Sequence, residues 1–146
     1  MPPARYPDAP RVAVGAVVFR RGRVLLIKRG RPPAKDDWAI PGGGVHLGET
    51  LQAAAEREVL EETGVAVRAG DPIFTFDAVD RDEAGRVRFH YVIVDLAADY
   101  VAGAPRPGDD AADARWVGPE EMERLAVNRV TRRLLANQFG FGNGET

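Results

Sequence analysis

An α/β domain built around a mixed sheet is predicted by three features of this sequence. β-Branched apolar runs and helical patterns alternate along the chain, turn signals join neighbouring runs into hairpins, and one long helical stretch is bounded by glycines. Hairpins make antiparallel neighbours, so the sheet is expected to be mixed rather than wholly parallel. A chain of 146 residues suits one domain with a substantial core.

The elements follow in order. Residues 1–10 are rich in proline and polar groups and read as a flexible arm, with a dimer-contacting arm as the alternative. Val12 to Phe19 forms a strand, Gly22 marks a hairpin turn, and Val24 to Lys28 returns as a nearly continuous apolar run, as in a strand buried on both faces. Gly30 to Asp37 is a polar loop, and Trp38 to Pro41 is short and extended because the residue before proline avoids the α region. A helix is expected from about Thr50, its N-cap, to Thr63, with Gly64 as the left-handed residue that ends it. Val65 to Val67 and Ile73 to Phe76 read as strand pieces. Gly85 sits in a charged turn, and Val87 to Leu96 is the strongest strand of the second half. Tyr100 to Asp113 reads as a loop, Ala114 to Val117 as a short strand, and Pro119 as the first residue of a helix with Glu120 and Glu121 in its first turn. A last helix covers about Asn128 to Gln138. The domain is placed at 11–139, with a flexible tail over 140–146.

Composition narrows the functions. A net charge of −2 leaves no basic footprint for nucleic acid, and there is no cysteine for disulfides, thiolate chemistry or Cys-based zinc sites. No apolar run approaches the ~20 residues of a membrane span. The start of the chain does not read as a signal peptide, so a cytoplasmic protein is expected.

The chemistry concentrates between Gly43 and Val65. Glu58, Glu61 and Glu62 are spaced i, i+3 and i+4, which puts them on one side of a helix. On a wheel of about 100° per residue, Glu58 and Glu62 fall among the apolar Leu51, Ala54 and Ala55, and Glu61 borders that face. Clustered, half-buried carboxylates repel one another unless a cation intervenes, and a hard divalent ion such as Mg²⁺ or Mn²⁺ fits oxygen ligands best. Arg57 is expected to orient one of them by pairing with Glu49 or Glu58. The glycines at 42, 43 and 44 let backbone approach a metal or phosphate, with the Gly43 carbonyl as a candidate ligand.

Gly43, Glu49, Arg57, Glu58, Val59, Glu61, Glu62, Gly64 and Val65 fill every defined position of the Nudix box, nine positions within 23 residues. The chain therefore resembles the Nudix hydrolases from about Val12 to Leu135, including Trp38 to Gly43 and Arg115-Trp116-Val117. The resemblance implies an α/β/α sandwich around a mixed sheet and hydrolysis of a nucleoside diphosphate linked to another group. It implies that Glu58 and Glu62 bind the catalytic cations with Glu61 assisting, and that Glu49 and Gly64 are structural. The general base is sought in the loop before Trp116, with Asp110 favoured over its neighbours Asp109 and Asp113; Glu58 or Glu61 are alternatives. The layout looks most like ADP-ribose pyrophosphatases, which give AMP and ribose 5-phosphate. That subfamily's proline is replaced by Arg81, and the tyrosine of diadenosine-polyphosphate hydrolases by Glu83. A pyrophosphohydrolase of nucleoside triphosphates is the alternative, and a nucleotide-binding sensor the third reading. Arg29 is the candidate phosphate contact, Phe76, Phe89 and Tyr91 the candidate base contacts, and a homodimer the expected assembly.

Overall fold

The computed structural model describes residues 5–31 and 34–142. Strands β1 (Arg11–Arg20), β2 (Arg23–Arg29), β3 (Trp38–Ala39) and β4 (Gly42–Gly44) precede helix α1 (Leu51–Thr63). Then come β5 (Ala66–Arg81), β6 (Val87–Ala102), β7 (Ala111–Val117) and the helices α2 (Pro119–Met122) and α3 (Arg129–Phe139). The sheet runs β3-β2-β1-β6-β5, with β4 paired to β1 and β7 to β2. It is mixed: β1 lies parallel to β6 and antiparallel to β2 and β4. Among the described residues no helix is long and apolar enough to cross a membrane.

Strand alternation sorts the core into two layers. Val14, Ala16 and Val18 of β1 pack with Leu25 and Leu96 against Ala54, Ala55 and Val59 of α1. Val17 of β1 joins Val24, Leu26 and Trp38 on the other face, under Met122, Leu134 and Leu135. The outcome is helix, sheet, helix. Arg21 and Gly22 both have positive φ, 52° and 77°, the turn that matches the twist of a two-residue hairpin. Thr50 caps α1 by accepting from the Ala53 N–H at 3.0 Å. Asn128 does the same for α3.

Three elements are longer than their sequence pattern suggests, and the loop expected over Tyr100 to Asp113 loses both ends: β7 begins at Ala111 rather than Ala114 because β2 supplies partners as far as Arg29↔Ala111. The pieces expected at 65–67 and 73–76 are one strand, β5, with register shifts around Gly70 and Pro72 that break its alternation. β6 continues beyond Leu96 to Ala102 because β5 supplies partners as far as Ala66↔Ala102. The triple glycine is itself a strand, fitted so closely to β1 that a Cβ on Gly42 would lie 2.1 Å from the Val14 carbonyl oxygen. Residues 1–4 of the expected arm and 143–146 of the expected tail lie outside the described residues. Within the described part of the arm, Tyr6 donates its N–H to Arg88 and its hydroxyl to Asp82, beneath the guanidinium of Arg86. In the tail, Phe141 is buried against Phe19.

Gly64 ends α1 at φ 74°, and its absent side chain leaves room for Arg106, whose Cγ would stand 3.2 Å from a Cβ there. Gly64→Ala is expected to cost about 1–2 kcal/mol, the strain of a left-handed alanine, measured by chemical denaturation. A change within a few tenths of that of a surface alanine substitution would refute this reading of the cap.

Candidate active site

Helix α1 carries Glu58, Glu61 and Glu62, three of the acids of this site. Its alanines sink into the core, which forces the residues beside them partly inward. Glu58 and Glu62 are 9% and 7% exposed, while Glu61 faces out. Burial is expensive for a carboxylate, and it pushes Glu62 up to about 8 despite a 2.8 Å bond from the Gly42 N–H. Glu58 is raised by the same desolvation, opposed by Arg57. Gly43 makes the arrangement sterically possible: a Cβ there would fall 2.5 Å from the Glu58 carboxyl carbon.

Arg57 ties the cluster together. Its Nε and one terminal nitrogen grip both oxygens of Glu49 at 2.8 and 2.9 Å. The other terminal nitrogen reaches Glu58 at 2.6 Å and Glu61 at 3.4 Å, and a further bond goes to the Gly44 carbonyl at 2.8 Å. Glu49 also accepts the His46 N–H and is held down to about 2, first by Arg57 and then by that backbone bond. The sequence left Glu49 and Glu58 as alternative partners of Arg57; it pairs with both.

The loop after β6 completes the cluster. It lies across the C-terminal end of α1, where Arg106 and Gly108 donate backbone N–H groups to the carbonyls of Thr63 and Glu62 at 2.8 and 3.0 Å. These satisfy acceptors that a helix end otherwise leaves unpaired. Gly108 comes so close that a Cβ would stand 2.3 Å from the Glu61 carbonyl oxygen. This clamp brings Asp109, in a left-handed turn at φ 50°, to Glu58 and Glu61, one carboxylate oxygen of each lying within 4.8 Å of the other two. Asp110 points elsewhere: it pairs with Arg31 at 3.0 Å, and its backbone carbonyl takes the Gly30 N–H. Sequence reasoning named Asp109 only as a neighbour of Asp110. The pattern Gly108-Asp109-Asp110 does not say which acid a turn will aim at the helix.

The other predicted residues divide. Arg29 ends β2 where its charge is felt by Glu62 and by Tyr91, so it borders the carboxylates. Tyr91 is half-buried on β6. Phe89 is 7% exposed and offers little ring surface to a ligand. Phe76 is half-buried and stacks beside Phe74, with ring centres 5.6 Å apart. Trp38 is core, capped by the guanidinium of Arg115.

The donor set fits a divalent cation. Two buried carboxyls are raised by desolvation, and Glu58, Glu61 and Asp109 converge although one guanidinium already serves two of them. An excess of convergent acids over bases is what a hard cation neutralises.

Comparison with known proteins agrees with this geometry. The NUDIX domain model matches residues 9–138. An ADP-ribose pyrophosphatase from Methanocaldococcus jannaschii is 31% identical over 135 residues, 92% of this chain and 76% of that protein. Among solved structures, a MutT Nudix hydrolase from Burkholderia pseudomallei superposes with a TM-score of 0.72 at 33% identity, covering 86% of this chain and 95% of that one. The Nudix domain of Shewanella oneidensis NrtR, solved with ADP-ribose, shares the fold at a TM-score of 0.70 and 22% identity, over 90% and 87% of the two chains. The intact box on α1, the helix–sheet–helix layering and these similarities together show that this chain belongs to the Nudix hydrolase family.

Proposed function

We propose that the protein is a Mg²⁺- or Mn²⁺-dependent hydrolase of nucleoside diphosphates linked to another moiety, with ADP-ribose as substrate and AMP and ribose 5-phosphate as products. The observation that carries this reading is the convergence of Glu58, Glu61 and Asp109 beside buried Glu62. The choice of ADP-ribose is supported by the relative of that activity, with which most of this chain aligns.

Glu58, Glu61 and Glu62 are the metal ligands in this scheme, with the Gly43 carbonyl as a further one. A bound Mg²⁺ would neutralise the diphosphate and make a nearby water more acidic. Arg57 keeps the Glu58 carboxylate turned toward the cluster, and Glu49 keeps Arg57 in place. Asp109 takes the proton of the attacking water, a role its place beside Glu58 and Glu61 suits better than that of Asp110 beside Arg31. Arg29 sits where a phosphate of the diphosphate would meet it. Attack of the water oxygen on phosphorus breaks the bridging P–O bond, and the second phosphate leaves with its sugar.

Incubation with Mg²⁺ and a panel of ADP-ribose, other nucleoside-diphosphate sugars, dinucleotides and nucleoside triphosphates tests this directly. AMP and ribose 5-phosphate should form faster than any other products. Pyrophosphate from a triphosphate as the fastest product would overturn the substrate assignment, and no turnover of any compound would overturn hydrolysis itself. Glu58→Gln and Glu62→Gln should each lower kcat by roughly a hundredfold or more, and Asp109→Asn should cost more in kcat than Asp110→Asn.

The raised Glu62 carboxyl also makes stability depend on pH. Folded Glu62 holds its proton up to about 8, whereas its unfolded value is 4.5, so between these the native state binds more protons. Its contribution to stability is full below pH 4.5 and is lost as pH rises through 8. Asp95, raised to about 6, completes its own loss earlier, and Glu49, held near 2, stays ionised throughout. Between pH 6.5 and 8.5 the melting temperature without metal should fall by about 5 °C, and Glu62→Gln should flatten that slope. An equal slope in wild type and variant would refute the assignment.

A further inference from the structure

Asp95 stands apart from the acidic cluster and is buried for no structural gain. It is 3% exposed, yet no hydrogen bond or ion pair is made to its carboxyl among the described residues, and burial alone raises it to about 6. Among those residues no fully enclosed side-chain oxygen lacks a partner, so the little surface Asp95 keeps belongs to its carboxyl end. An uncompensated buried acid is costly. Replacing it with an apolar residue of similar size would remove that cost, so the fold by itself gives no reason for it.

Its surroundings resemble a binding surface. Asp95 pairs with Gly15 across β1 and β6, and its Oδ1 lies where the first carbon of any side chain at 15 would be, 2.4 Å from an ideal Cβ. Ile40 borders the same spot at 2.9 Å. Leu96 and Ala98 point into the layer under α1, so Asp95, Ile93 and Tyr91 point to the opposite face. Directly across β5, Phe74 pairs with Asp95 and Phe76 with Ile93. Cross-strand partners project to one face, and these two rings lie 5.6 Å apart with Phe74 38% exposed. One face of the sheet thus offers a pair of neighbouring aromatic rings, a small residue that leaves room, and an unpaired acceptor. Toward the other end of β6, Tyr91 is within the field of Arg29, which is also felt by Glu62, so this surface leads to the carboxylate cluster.

We propose that Asp95 is a specificity-determining residue: its carboxyl accepts hydrogen bonds from the edge N–H groups of a nucleobase whose ring lies against Phe74 and Phe76. This rests on, and deepens, the reading of the substrate as a nucleoside diphosphate. A carboxylate accepts and does not donate, so it favours bases that present N–H groups at their edge. The aromatic pair holds any base by its face, without choosing among them.

The test uses binding, apart from turnover. Calorimetry without metal would compare AMP, GMP, CMP, UMP and purine riboside 5′-monophosphate, which lacks an exocyclic amine. The wild-type protein should prefer an amine-bearing nucleotide over the purine riboside by about tenfold or more. Asp95→Ala should bring that ratio to within about threefold of unity. Asp95→Asn, which keeps the size and turns part of the acceptor edge into a donor, should reorder the preferences and remains informative if the alanine variant fails to fold. Phe74→Leu should weaken all five nucleotides alike. With the preferred base in a diphosphate substrate, the loss in both Asp95 variants should appear in KM rather than kcat. A base preference absent from the wild type, or unchanged in both folded Asp95 variants, overturns the inference. Failure of the hydrolysis assay leaves these binding ratios interpretable, so the two readings fail separately.

Discussion

The guanidinium of Arg57 meets Glu49 with two nitrogens, Glu58 and Glu61 with a third contact region, and the Gly44 carbonyl with the remaining donor. This one planar group joins the loop before α1, the helix and the glycine strand. Arginine can do this because its donors are fixed in a fork and its charge is permanent; a lysine ammonium at the same place would offer a point charge without the bidentate grip. The carboxylates of α1 are consequently held in place before any ligand arrives. The two ends of the network also differ in character. Glu49, bonded by Arg57 and by a backbone N–H, is strongly stabilised as an anion, whereas Glu62, deeper in the protein with one backbone donor, is destabilised. The residue that anchors is thus kept charged, and the one facing the site is kept short of positive charge.

Close backbone approach is the second constraint. Gly42 against β1, Gly43 against Glu58 and Gly108 against the end of α1 are each placed where a Cβ would come within 2.5 Å of another group. These contacts press β4 against β1 and bring β4 and the loop around Gly108 to the same helix. The β4 glycines supply the floor of the cluster, and the Gly108 clamp supplies Asp109.

The sheet connects the cluster to the surface around Asp95. β1 is paired with β4 on one side and with β6 on the other, so Gly42 and Asp95 both stand opposite Gly15. Gly42 in turn donates its N–H to Glu62. The aromatic pair on β5 stands three strand spacings from β4, about 14 Å, so a molecule with a polar end for the carboxylates and a ring for the aromatic pair would span that distance. The rigidity of a paired sheet fixes that separation better than loops would.

Local patterns in the sequence determined a great deal. Thr50, Gly64 and Asn128 are caps because their side chains or their lack of one suit helix ends, and the wheel that placed Glu58 and Glu62 among alanines is the burial observed. The nine box positions identify the family because they encode one helix and its flanking turns, all close in sequence. Tertiary structure decided whatever depends on contacts distant in sequence. β5 is continuous through Gly70 and Pro72 because β6 supplies partners that local propensity does not foresee. Asp109 rather than Asp110 joins the cluster because the loop is clamped to α1 and Asp110 to Arg31. Phe89 is withdrawn into the protein while Phe74 remains half-exposed, although both read as strand aromatics. Asp95 lies inside the strand that the sequence marks from Val87 to Leu96 and carries no expectation there, because whether a partner awaited it could be seen only after β1 and β5 were in place on either side. The physical reason is the same in each case: a turn or helix is specified by neighbours along the chain, while the direction and pairing of a charge are specified by neighbours in space.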